Sequence, residues 1–550
     1  TKDTSPTCGS LLLTEAIAES VDLGKPLYTA FIDASKAFDV VWHDSMLVKL
    51  YDVGLTGQKW NFLNNWYTGL QSSVKWEGAN SLPFPERQGV RQGGIWSPTG
   101  YKHFLNPFLD CLMKHKVGLC IGSIYLGVVG VADDLLFMAD TPEELQCQLN
   151  LQWSFAGKER YQVSDTKTKT MQHNVKNQAK AQFSFCENKL EDVQSYKHLG
   201  LIRESNNKLS NNLLIDDRIK TARNTAYALM GAGFHGLNGV NPEVSICIWQ
   251  IYVRPRLLYG LESINLSKSD VQKLEVYQRT ILRQILHLPE RVASSAIYVL
   301  SGQLPVEAEI HKRRLALYGN IVRKDCIERE LAYRQLALKD SASKSWFISL
   351  QEILYRYGLP NAQELLDSPP EKIGWKVKVR QHVNQHWQKI VIQEAENKST
   401  LEFLNIASYT PGKVHPVWTK CKHNANSLLK AYAQVKLMCG TYILQSLRAK
   451  FNQYQVSMLC PLCKRTDETL QHFILHCDAL RPARQSFMDT LHKLVGCTSD
   501  EKLFRVILDP SVACLPSGGG DESCSTRIYS LTRSLCYALH VQRNTLLASS

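Results

Sequence analysis

The stretch GVVGVADDLLFMAD occupies residues 127–140, and nearly every residue in it suits a buried strand except the adjacent pair Asp133 and Asp134. Two neighbouring carboxylates in an apolar hairpin lose hydration and repel each other, so the pattern needs a compensating partner. The segment reads as two strands joined at the Asp pair. A helix start follows in TPEEL (141–145): Thr141 as N-cap, Pro142 at the first helical position and Glu144 closing a capping box. The pair is therefore expected at a hairpin tip, beside a cleft or groove.

A second stretch, FIDASKAFD (31–39), ends an apolar strand at Asp33. Adjacent antiparallel strands, one ending in Asp33 and the other in Asp133, bring three carboxylates together. Such a cluster does not stay ionised unaided, and a divalent cation supplies the missing charge. Mg²⁺ takes oxygen ligands and keeps waters for substrate phosphates. Two such ions about 3.5–4 Å apart activate a 3′-hydroxyl and stabilise a leaving pyrophosphate.

Around this centre lie 550 residues, too many for one core. A hydrophobic content of 44% and a charged content of 21% describe a folded chain and exclude a disordered one. The net charge of +13 favours a polyanionic partner. No apolar run is long enough to span a bilayer, no signal-peptide pattern opens the sequence, and no membrane partner is expected. The 16 cysteines are scattered and read as reduced thiols, apart from one cluster. The chain opens abruptly at Thr1, as expected of a piece of something longer.

FIDASKAFDVVWH (31–43), RQGVRQGGIWSP (87–98) and VADD (131–134) resemble motifs A, B and C of a reverse transcriptase palm, most closely those of non-LTR (LINE-type) retrotransposons. VSDTKTKTM (163–171) is similar to motif D, YKHLGL (196–201) to the motif E primer grip, and RPRLLYGLE (254–262) to the thumb. The resemblance runs from about residue 5 to 485. It implies an RNA-directed DNA polymerase that joins dNTPs to a primer 3′-hydroxyl on an RNA template, with nicked chromosomal DNA as primer. Asp33, Asp133 and Asp134 become ligands of two Mg²⁺ ions, with the Ala34 carbonyl nearby. Phe38 becomes the steric gate against a 2′-hydroxyl, and Gln92 and Gly93 the motif B loop. Lys167, with Lys169 as rival, becomes the proton donor to pyrophosphate. Three features depart from the family pattern. Val131 stands where an aromatic is usual, Ser164 stands where Asn is common, and the triphosphate-binding fingers are expected upstream of residue 1. The alternative is an inactive nucleic-acid-binding remnant of such an element.

CPLCKRTDETLQHFILHC (460–477) sets Cys460, Cys463, His472 and Cys477 at a spacing suited to one tetrahedral Zn²⁺, with His476 as an alternative to His472. It is similar to the C-terminal knuckle of the same retrotransposon proteins, and the expected role is structural. Arg254, Arg256, Arg279, Arg283 and the run Lys312, Arg313, Arg314 fall in Arg-rich helical patterns and are candidates for phosphate contacts.

The expected fold is α+β. A palm with an antiparallel sheet spans 1–205, a helical thumb 206–335, a helical connection 336–450, a zinc knuckle 451–490 and a helical tail 491–550. The family resemblance places the protein in nucleus and cytoplasm.

Overall fold

The computed structural model describes residues 5–549 apart from 35, 162, 176–179, 206–210, 237–238, 497–498 and 514–521. The chain is α+β and forms two compact units. The first takes residues 1–217, 260–266 and 314–375, and the second takes 218–259, 267–313 and 376–550. The compact units thus run across the linear divisions at 205 and 335.

The first unit is built on a five-stranded sheet among the described residues. Its strands are β1 (Leu27–Ile32), β2 (Val128–Val131), β3 (Asp134–Ala139), β4 (Lys169–His173) and β5 (Glu191–Asp192), in the order β5-β4-β1-β3-β2. Strand β1 is buried along its whole length because it lies between β3 and β4, antiparallel to both. Period 2 divides its side chains. Tyr28, Ala30 and Ile32 join Leu135 and Phe137 in a core with Phe104, Phe108, Leu145 and Leu149. Those last four come from helices α4 (Ser97–His115) and α5 (Pro142–Lys158), which follow α2 (His43–Asp52) and α3 (Gly57–Tyr67). On the opposite face Phe31 stacks on Tyr196, centroids 4.5 Å apart. Tyr196 belongs to a hairpin of strands β6 (Ser195–His198) and β7 (Leu201–Glu204). Leu199 and Gly200 turn that hairpin with φ of +50° and +78°, the sign pattern of a two-residue type I′ turn.

Thr141 does cap α5: its hydroxyl accepts the Glu144 N–H at 3.3 Å. Helix α1 (Pro6–Leu23) starts equally legibly, with the Ser5 hydroxyl accepting the Cys8 N–H and Pro6 at the first position. Its middle is buried on every side, Glu15 included. That carboxylate accepts the Trp346 N–H at 2.5 Å, the Ser345 hydroxyl at 2.9 Å and the Gln335 amide at 3.1 Å. Residues more than three hundred positions along the sequence therefore complete this unit.

The second unit is helical. Its C-terminal core joins Leu437, Phe473, Leu491, Phe504, Ile507, Leu535 and Leu539. They are contributed by α8 (Ala425–Met438), the knuckle, α9 (Arg481–Val495), α10 (Asp500–Leu508) and α11 (Glu522–Ser549); between α5 and α8, α6 (Ile327–Leu338) and α7 (Trp346–Arg356) belong to the first unit.

Candidate active site and metal centre

The site is assembled by strand register. β1 pairs with β3 from Tyr28↔Ala139 to Ile32↔Leu135, and β2 pairs with β3 down to Val131↔Asp134. The end of β1 therefore delivers Asp33 beside the start of β3, while the β2–β3 turn presents Asp133. The strand beside β1 is β3, carrying Asp134, and Asp133 lies in the turn. Ala132 makes that turn with φ of +56°, a conformation costly for a residue with a Cβ and tolerated chiefly where surrounding structure enforces it. The three carboxylates interact electrostatically: burial, then Asp133 and Asp33, raise the Asp134 pKa. Burial raises the Tyr101 and Tyr196 hydroxyls too. Tyr161, then Asp133 and Asp134, contribute for Tyr101, and Asp33 and Asp134 for Tyr196.

Lys167 answers part of this charge. Its Nζ lies 3.5 Å from Asp33 Oδ2, whereas Lys169 is held by Glu191 at 2.6 Å. Geometry thus separates the two rival lysines. Ser164 shapes the loop: its N–H donates to the Asp33 carbonyl at 2.9 Å and its hydroxyl accepts the Lys167 N–H at 3.2 Å. The Thr168 hydroxyl in turn accepts the Asp33 N–H at 3.3 Å. One lysine against three carboxylates leaves a surplus of negative charge on hard oxygen donors, and among the described residues Asp33 Oδ2 has no hydrogen-bond partner beyond the Lys167 ion pair. That donor set fits divalent cations such as Mg²⁺.

Beside the carboxylates, Ala34 bridges to Val163. Phe38 is half-buried and stacks on Tyr101 with centroids 5.0 Å apart. The motif B loop closes onto the segment bearing Phe38: Val90 N–H donates to the Phe38 carbonyl at 2.7 Å and Gly89 N–H to the Val41 carbonyl at 2.8 Å. Gln92 and Gly93 are exposed at its tip. A Cβ on Gly93 meets open space, though its φ of +82° favours glycine; the close backbone approach is at Gly89, where a Cβ lands 2.7 Å from the Asp39 carbonyl oxygen. Sequence reading passed over Gly89, Tyr101 and Thr168; the glycine in RQGV was the available signal for the first. Val131 is half-buried and, with Leu199, lies against Gly9, where an added Cβ would meet both side chains at 3.2 Å.

In the second unit Cys460, Cys463, His472 and Cys477 offer ligand atoms within 4.8 Å of one another, the group of this kind found among the described residues. Cys460 Sγ and Cys477 Sγ are 3.9 Å apart, and Cys463 Sγ and His472 Nε2 are 3.4 Å apart. A tetrahedron with metal–sulfur bonds of about 2.3 Å and a metal–nitrogen bond of about 2.0 Å has edges of about 3.8 and 3.5 Å. The donors and their spacing fit Zn²⁺. His476 is exposed and outside this group, so the geometry selects His472 between the two. Burial alone raises a thiol, yet Cys463 is lowered, because the N–H groups of Arg465 and Thr466 donate to it.

The basic residues divide. Arg254 and Lys312 both reach Glu309, at 3.6 and 2.9 Å. Arg256 donates to Thr225 at 2.7 Å, Arg279 to Ser294 at 3.2 Å and Arg313 to the Leu258 carbonyl at 3.4 Å. Arg283 is half-buried. Arg314 is not a phosphate contact. Its guanidinium is buried, donates to Asn265 and Ser349 at 3.0 and 2.6 Å, and is held by internal packing.

Residues 4–202 match the family model described as reverse transcriptase (RNA-dependent DNA polymerase). The chain is 24% identical over 288 residues to the "Retrovirus-related Pol polyprotein from type-1 retrotransposable element R2" of Nasonia vitripennis, covering 50% of this chain and 27% of that protein. It is 31% identical over 123 residues to the polyprotein of element R2DM from Drosophila melanogaster, covering 22% and 12%. It is 22% identical over 269 residues to the "RNA-directed DNA polymerase from mobile element jockey" of Drosophila funebris, covering 48% and 28%. In each case the match spans less than a third of the relative's length.

Proposed function

We propose that this chain, whose residues 4–202 match the reverse transcriptase family model and which is similar to non-LTR retrotransposon polyproteins, extends a DNA primer by nucleotidyl transfer from dNTPs on an RNA template. The observation that carries the reading is the convergence of Asp33, Asp133 and Asp134 at one end of the sheet, with Lys167 3.5 Å from Asp33. Asp33, Asp133 and Asp134 would hold two Mg²⁺ ions, with the Ala34 carbonyl at the nucleotide side. When bound, the ions lower the pKa of the primer 3′-hydroxyl and offset the charge of the leaving pyrophosphate. Lys167 gives a proton from Nζ to that pyrophosphate. Phe38, braced by Tyr101, blocks a 2′-hydroxyl and selects dNTPs. Gln92 and Gly93 lie against the template–nucleotide pair. The knuckle's Zn²⁺ is structural, holding Cys460, Cys463, His472 and Cys477 together. The surplus of basic side chains favours the phosphates of template RNA and of primer or target DNA, and the retroelement reading places the protein in cytoplasm and nucleus.

A second reading, a nucleic-acid-binding remnant without catalysis, is favoured by Val131, whose side chain is engaged with Gly9 and Leu199. Primer extension on poly(rA)/oligo(dT) with Mg²⁺, against an Asp133→Ala, Asp134→Ala variant, decides between them. Incorporation of dTTP by the wild type alone supports the polymerase. Equal duplex binding with no extension by either protein supports the remnant.

A further inference from the structure

Thr466 lies between the two halves of the Cys/His group without being a ligand. Its carbonyl accepts the Cys460 N–H at 2.8 Å. Its own N–H donates to the Cys463 sulfur. Its hydroxyl is 3.0 Å from His472 Nδ1, while Nε2 of the same ring faces Cys463. One residue therefore contacts the Cys463 sulfur, the His472 ring and the backbone of Cys460. An imidazole that offers Nε2 to a metal carries its proton on Nδ1, and that proton needs an acceptor to fix the tautomer and the ring plane. The Thr466 hydroxyl is placed to accept it. The ring's own backbone is tied separately, by its N–H donating to the Thr469 hydroxyl at 3.1 Å.

We propose that Thr466 is a positioning residue of the metal centre, its hydroxyl accepting the His472 Nδ1 proton and so presenting Nε2 to Zn²⁺. This rests on the reading that Cys460, Cys463, His472 and Cys477 hold zinc. Thr466→Val removes the acceptor and keeps the shape and the backbone contacts; Thr466→Ser keeps the acceptor.

The experiment is a competition titration of the full chain with Zn²⁺ against a chromophoric chelator, repeated with Co²⁺ to read the thiolate charge-transfer bands. Four proteins are compared: wild type, Thr466→Val, Thr466→Ser and Cys463→Ser. Expected are one tightly held zinc in the wild type, a loss of about tenfold in affinity for Thr466→Val, and near wild-type affinity for Thr466→Ser. Cys463→Ser should lose far more, together with part of the cobalt charge-transfer intensity. If Thr466→Val holds zinc as tightly as the wild type while Cys463→Ser does not, the positioning role is overturned and the metal centre stands. If Thr466→Ser loses as much as Thr466→Val, the hydroxyl is not the operative group and the proposal fails. A wild type that binds no zinc, or binds it no better than Cys463→Ser, overturns the metal reading and this one with it.

Discussion

Gly89 and Phe38 show what one side chain decides at this site. A methyl group on Gly89 meets the backbone of Asp39, which has no rotamer to yield, and φ at this position is +97°. Gly89→Ala is expected to destabilise by roughly 1–3 kcal/mol from the left-handed backbone alone, with the clash in addition. Thermal unfolding reads the loss, and dNTP incorporation should fall with it because the same loop carries Gln92 and Gly93. Phe38→Ala has a different signature. The fold should hold, since the ring is only partly buried, but the proposed gate opens. Discrimination against ribonucleotides should fall roughly tenfold or more, read as the ratio of kcat/KM for rNTP and dNTP. Unchanged discrimination would leave Phe38 as mere packing on Tyr101. At this scale the convergence of the three carboxylates was legible, because carboxylates clustered at the ends of apolar strands are costly unless a cation meets them. The close approach at Gly89 was not, because it depends on a backbone distant in sequence. The choice between Lys167 and Lys169 also lay beyond the sequence, since it turns on Glu191 of β5 reaching one lysine and not the other.

Among the elements, the knuckle depends on a partner outside it. Glu468, buried, takes two bonds from Arg543 of α11, at 2.7 and 2.9 Å, and accepts the Gln445 N–H at 2.7 Å. Removing one partner strands a buried charge, so Arg543→Ala should cost about 3–5 kcal/mol in chemical denaturation and speed zinc loss to a chelator. The double variant Glu468→Gln, Arg543→Met should lose much less than the single changes summed; additive losses would show that the pair is not coupled. The helix start at Thr141 was readable, because a side chain that caps its own helix is a local signal. The β6–β7 turn was not, since its left-handed Leu199 is a poor turn residue by itself and is retained through packing on Gly9.

For the molecule as a whole, charge and pH are the accessible variables. His173 is fully buried, neither ring nitrogen has a hydrogen-bond partner among the described residues, and burial followed by Arg203 pushes its pKa down to about 4. Between an ordinary value near 6.5 and about 4, the unfolded chain binds a proton that the folded chain refuses. The stability from neutral His173 is present above pH 6.5 and is lost as pH falls toward 4. His173→Leu should therefore flatten the acid limb of the unfolding midpoint against pH by about one proton, with little cost at pH 7. An acid limb identical to the wild type's would refute this. The net charge of +13 predicts a second dependence. If three or four phosphates are neutralised, duplex affinity should fall roughly a hundredfold between 50 and 200 mM salt. The α+β class and the order of motifs were open to sequence reading. The grouping of 314–375 with the N-terminal sheet was not, because it rests on contacts such as Glu15 with Trp346 that leave no local pattern.

That returning segment sets a timetable for synthesis. A ribosome that has just released residue 202, where the family match ends, has made every strand of the sheet but neither Gln335, Ser345 nor Trp346. Glu15 at that moment has no donors for its carboxylate, and the apolar faces of α1 remain open to water. The nascent sheet must wait for well over a hundred further residues, a window in which a holding chaperone has a client. A polypeptide ending at residue 202 never leaves that window and should be recovered mainly as aggregate, whereas one that runs on through both units should stay in solution.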